Sequence, residues 1–165
     1  MALSSLKDVY IDQLQDIYSA NRQALEATRK LQGKASAPDL TEALGSGLKG
    51  IQEGLETVGE IVKAHGAKPT GEFCKGMEGL VKEVQAHVIE ADFADDDVRD
   101  AMIITQYQRM AHYGIAGYGC VLAFAERLGL DAEAGKLREC KEETEGGDVR
   151  MTGIALGKVN KAAMN

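Results

Sequence analysis

The chain has 165 residues, 44% of them apolar and 27% charged, enough for one domain, residues 1–165, with a core that needs no staple. A net charge of -7 with scattered lysines and arginines excludes a nucleic-acid surface, which needs a basic stripe to displace counterions from phosphates. Cys74, Cys120 and Cys140 form no CxxC pair, and no window reaches the ~18 apolar residues of a membrane span, so a soluble protein of the reducing cytoplasm, without membrane partners, is expected.

Residues 3 to 31 set Leu3, Leu6, Tyr10, Leu14, Ile17, Ala24 and Leu31 at steps of three and four, one face of an amphipathic helix that Ser4 or Ser5 can cap. The opening stretch, MALSSLKDVYIDQL, lacks the basic and apolar regions of an export signal. QGKASAPD breaks the helix, with Ser36 as the expected cap of the next, Pro38 in its first turn and Asp39 at the capping-box position. Leu40, Leu44, Leu48, Ile51, Leu55, Val58 and Ile61 or Val62 mark this second helix, which ends near HGAKPTG.

Residues 74 to 91 predict a shorter helix with Met77, Leu80, Val81, Val84 and Val88 on one side. Asp95 to Asp97 cap a third long helix, whose core face is Val98, Ala101, Ile104, Ala111, Ile115, Leu122 and Ala125, and LGLD stops it near Leu128. A fourth long segment, 132 to 161, places Leu137, Met151, Ala155 and Val159 together, with Gly146 and Gly147 as an expected irregularity. No β-like alternation competes. The order of elements predicts an all-α, ferritin-like four-helix bundle with one crossover carrying an additional short helix.

Polar residues inside the apolar stripes are the informative ones. Asn21 lies on the stripe of the first helix, Gln108 on the third, Thr144 and Asp148 on the fourth, all near mid-helix and so expected in one layer. The hydroxyls of Tyr107, Tyr118 and Tyr18 are in reach of such a layer as donors to a buried Asp. Two readings follow: a satisfied polar layer that fixes register, or a ligand or metal pocket.

A second feature accompanies it. Ala43, Gly47, Gly50 and Gly54 make a face of the second helix with almost no side chains, and HYGIAGYGC puts Ala111 and Gly114 at matching depth on the third. Each glycine inside a helix costs about 1 kcal/mol relative to Ala, so something offsets it: close backbone packing, or a hollow that rings fill or frame.

The whole chain resembles the YciE/YciF family of ferritin-like proteins, a bacterial stress-associated domain of unknown function. The resemblance rests on LKDVYIDQLQDIYSAN at 6 to 21, CKGMEGLVKE at 74 to 83, VRDAMII at 98 to 104, HYGIAGYG at 112 to 119 and GGDVRMTGIA at 146 to 155. It implies a four-helix bundle with an added short helix, a homodimer, and kinship with proteins that hold two metal ions between carboxylates and histidines. The chain departs from that pattern where ligands belong. Where relatives read YSAE, it reads YSAN at Asn21; where they read HLEETHGQ, it reads GLKGIQEG, with Gly47, Lys49, Gly50, Gln52 and Gly54; where they read EHYEIASYG, it has Ala111 and Gly114; Thr144 stands where Glu is common. Asp148 alone persists, and one Asp cannot hold two irons.

His112 projects to the flank of its stripe, while His65 and His87 are expected at boundary or surface positions. No HExxH, GxSxG, GxGxxG or P-loop spacing occurs. The expected function is therefore a non-catalytic binding or structural one, with no cofactor and no metal residues. Against it stand a di-iron or di-manganese oxidoreductase or iron-handling site built from Asp148, His112 and Glu145, and a small-molecule ligand, unknown from the sequence, in the hollow beside Gly47, Gly50, Gly54, Ala111 and Gly114.

Overall fold

A computed structural model of the chain describes residues 3–164, which form helices joined by short loops, with no strand among them. The first helix, α1 (Leu6–Lys34), starts because Ser5 sits in extended backbone and its hydroxyl accepts the Asp8 N–H at 3.1 Å. Ser4 instead donates to the Asp8 carboxylate from both its N–H and its hydroxyl.

The second helix, α2 (Pro38–Ala64), corrects the expected cap. Ala37 occupies the cap position without a side-chain bond, and Asp39 pairs with Lys158 at 2.6 Å and not with the helix start. The work falls to Asp100, 0% exposed, whose carboxylate accepts from the Ser36 N–H, the Ser36 hydroxyl and the Ala37 N–H at 2.7 to 3.0 Å. A carboxylate from elsewhere in the chain thus sits at the positive end of α2. Gly66, at φ +74°, turns the chain out of the helix.

The crossover carries α3 (Lys75–Val84), which loosens into a π turn over Gln85–Ile89. Then α4 (Asp96–Arg127) begins with Asp95 accepting the Val98 N–H at 2.9 Å, and Gly129 at φ +71° ends the LGLD turn. The last long helix, α5 (Asp131–Ile154), runs unbroken through Gly146 and Gly147; its irregularity lies beyond them, in a π turn over Ala155–Val159 before a final turn, α6 (Asn160–Ala162).

Each long helix touches two others along its length: α1 packs on α2 and α4, and α5 packs on α4 and α2, while α3 lies across α1 and α4. Buried apolar residues form two clusters. Leu31, Leu40, Leu44, Ile103, Met110 and Met151 belong to one, and Tyr10, Leu14, Val58, Val62, Val121 and Leu137 to the other. Burying such side chains supplies about 1.5–3 kcal/mol each. Leu3, Leu6 and Val98, expected in the core, lie at helix starts and stay exposed by 36% or more. Between the two clusters lie Asn21, Gly50, Gly54, Gly114 and Thr144, the place where the apolar lining thins out.

Candidate functional site

The middle of the molecule is built from two tyrosines of α4 and the glycine face of α2. A Cβ on Gly47 would overlap the Tyr107 hydroxyl, and a Cβ on Gly54 would overlap the Tyr118 hydroxyl. The glycines therefore admit the ring tips, and the buried rings offset the helix-propensity cost. Gly50, between them, faces the Glu143 side chain, with a Cβ placed 3.0 Å from its carboxylate. Gly114 is open except for the Thr144 methyl at 3.8 Å.

The expected polar layer is divided in two. Inside, Asn21 donates from Nδ2 to the Tyr118 hydroxyl at 2.8 Å, and Thr144 turns its hydroxyl back to the Cys140 carbonyl. Outside, on the seam between α4 and α5, Gln108 donates to Asp148 Oδ1 at 3.1 Å and to Thr152 at 2.8 Å. His112, 65% exposed, lies 3.0 Å from Asp148 Oδ2. Asp148 thus faces away from Asn21, and the four residues do not converge. Glu145 is committed to Lys141 at 2.5 Å. Tyr18 packs its ring over Gly59.

Burial pushes the Tyr107 phenol up to about 12, with help from the Asp148 and Glu143 carboxylates. Tyr118 is raised as well, again by burial first, so both rings stay neutral donors at physiological pH. Cys140 and Cys74 are held as thiols by burial.

A family model for a domain of unknown function, DUF892, matches residues 5–164. The chain belongs to the DUF892 family. Protein YciF of Escherichia coli (strain K12) is 35% identical over 166 residues, spanning 100% of this chain and 99% of its own length. The solved structure of the E. coli stress protein YciF superposes with a TM-score of 0.88 at 34% identity, covering 96% of this chain and 99% of that one. The structure of YcfI from Rhodopseudomonas palustris gives a TM-score of 0.83 at 33% identity, covering 90% and 94% of the two chains.

The segments that carry the family resemblance have a packing explanation in this DUF892 member. Cys74 caps α3 through its sulfur, which accepts the Met77 N–H, while its own N–H donates to Ser19 at 3.0 Å. Tyr113 lies 2.9 Å from the Cys74 sulfur and donates to Asp16 at 3.1 Å. Gly76 leaves room for the Tyr113 ring, which a Cβ would meet at 2.7 Å. CKGMEGL and HYGIAGYG are thus the two sides of one contact between α3 and α4. Gly117 faces Ile17 of α1 and Gly119 faces Lys141 of α5, both away from the glycine face of α2.

The two-metal centre implied by the resemblance needs several anionic ligands on one point. In the middle stand an amide, two neutral phenols, a threonine, glycines and a single carboxylate side chain, Glu143, and among the described residues no group of three or more His, Cys, Asp or Glu could hold a metal ion. The residues present do not fit such a centre. No helix of the described residues is long and apolar enough to cross a membrane.

Sequence reasoning missed three residues. Asp100 lies in VRDAMII, just after the capping acids Asp95 to Asp97, and only the meeting of α2 with α4 shows its role. Gln106, 2% exposed, is the buried glutamine of α4, whereas Gln108 lies at the half-buried seam. Glu133 joins Tyr10 at 2.7 Å and His65 at 3.0 Å, a clasp of α1, α2 and α5 in which His65 takes the boundary position expected of it. His87 is exposed beside Glu83.

Proposed function

We propose that this protein is a cytoplasmic, stress-associated member of its family that acts as a non-catalytic binding or structural protein. Its frame is the ferritin-like four-helix arrangement with one crossover, formed by the single domain 1–165, and its di-metal ligands have been replaced. One observation carries the reading: at the middle of the helices two neutral tyrosines meet Gly47 and Gly54 of α2, while Asp148 pairs outward with Gln108 and His112. The description of E. coli YciF as a stress protein, and of YcfI as a candidate structural protein, supports it.

The test is metal analysis of protein purified from iron- and manganese-rich medium. A content near zero after dialysis is expected; about two ions per chain, the complement of a ferritin-like site, would overturn the reading. The alternative, a metal-dependent oxidoreductase or iron-handling protein around Asp148, His112 and Glu145, is favoured only by the close approach of His112 to Asp148. It requires ferroxidase activity that Asp148→Ala abolishes. The reading also includes a homodimer, for which exposed Val149 and Leu156 on the last helical stretch offer apolar surface. Sedimentation at a monomer mass would remove that part alone.

A further inference from the structure

Two hydroxyls in the middle of the molecule lack partners. Tyr107 is 7% exposed, and its hydroxyl lies between Gly47 and Gly147 with no hydrogen-bond partner among the described residues. The hydroxyls of Tyr10, Tyr113 and Tyr118 are all engaged. Thr28 is 0% exposed and its Oγ1 has no partner either. Buried hydroxyls are ordinarily satisfied; Thr28 Oγ1 is the buried orphan, while the Tyr107 ring is buried and its unpartnered hydroxyl opens on the cleft.

Both border open space. Tyr107 lines a cleft of about 240 Å3 between α2 and α5, and also a cavity of about 40 Å3 that reaches Thr28; Gly50, Ile51 and Thr144 line both spaces as well. The inner cavity has room for water, which Thr28 can bind. The outer cleft falls below the ~300 Å3 at which pockets for drug-sized ligands begin, so its ligand is smaller. Its walls include Gly47 and Gly50 on one helix and Gly146 and Gly147 on the other, with the Tyr107 hydroxyl and the Glu143 side chain projecting beside them.

Chemistry narrows the class further. The Tyr107 phenol is neutral and able to donate, so it seeks a carbonyl or similar acceptor. Glu143 brings its carboxyl oxygens to the same cleft, where they can accept from an N–H group. Arg150, the cleft's cation, is already held by Glu42 at 2.9 Å and Ser46 at 3.2 Å. A carboxylate ligand would meet the Glu143 oxygens with no hydrogen to give them, whereas a carboxamide has one.

We propose that the cleft between α2 and α5 binds a small, uncharged carboxamide, its carbonyl accepting from Tyr107 and its N–H group donating to Glu143. The proposal rests on the reading that metal does not occupy the middle, and metal analysis tests that reading separately.

The experiment is a titration of the full chain with benzamide, followed by amide NMR, with benzoate as the isosteric anion. Millimolar binding that shifts the Gly146 and Gly147 amides is expected. Tyr107→Phe should weaken it about fivefold, the worth of one hydrogen bond. Gly146→Leu should abolish it, and that variant should stay folded because a Cβ there meets nothing within 4 Å. Benzoate should leave the spectrum unchanged. Absence of shifts up to about 10 mM benzamide, shifts indifferent to Tyr107→Phe, or equal binding of benzoate would each overturn the proposal.

Discussion

The ends of the molecule and its middle solve the same problem in opposite ways. At one end Asp100 takes three hydrogen bonds from the link between α1 and α2; at the other Glu133 joins Tyr10 to His65. Every buried polar atom in these clasps has a partner. In the middle, glycines face tyrosine tips, Thr28 has an orphan hydroxyl and Tyr107 an unpaired one. The polar groups at the ends hold helices together; in the middle the Asn21–Tyr118 bond does so as well, while Thr28 and Tyr107 border space. The difference teaches that stability and any binding capacity are carried by different residues of one frame.

The comparison breaks first at Asp100. Asp100→Ala leaves the start of α2 with buried N–H groups unpaired and should cost about 3 kcal/mol, read as a shift in the urea midpoint. A loss under about 0.5 kcal/mol, the range of ordinary surface substitutions, would show that this end is not held by its carboxylate.

Gly54→Ala comes next. The new methyl overlaps the Tyr118 hydroxyl, which the Asn21 bond holds in place, and overpacking of this kind costs about 1–3 kcal/mol. Adding Tyr118→Phe should recover part of the loss, because the overlapping atom is gone; a strictly additive double variant would contradict the keyed fit.

The middle also makes stability depend on alkaline pH. Tyr107 ionises near its ordinary value of 10.0 in the unfolded chain but only at about 12 in the folded one. The folded state therefore binds more protons in that window, and stability is full below pH 10 and falls as pH rises toward about 12. Chemical denaturation across that range should show a shallower decline for Tyr107→Phe than for the parent.

The smallest effect sharpens the contrast from the other side. Gly146 has nothing near its missing Cβ, so Gly146→Ala should stabilise α5 by about 0.5–1 kcal/mol. A loss of stability there would mean that the cleft wall is packed and not open.

The extent of what was legible is seen residue by residue. Ser5 and Asp95 cap α1 and α4 as their spacing predicts, because a cap and its target lie three residues apart on one chain. Ser36 looked equally sound but lost its role to Asp100, which is 63 positions from Ala37. Asp148, on the same stripe as Met151, turned to the seam, since a boundary position a few tens of degrees from the core can aim either way.

The sequence by itself determined the helices, most of their ends, the apolar stripes and the family, since these follow from local capping, periodicity and motif. Only the tertiary structure decided which polar groups meet: Asn21 with Tyr118, Asp148 with His112, Asp100 with the start of α2. The reason is physical. Hydrogen bonds are made or lost within a few tenths of an ångström, and that precision comes from how whole helices pack, which no spacing along one helix contains.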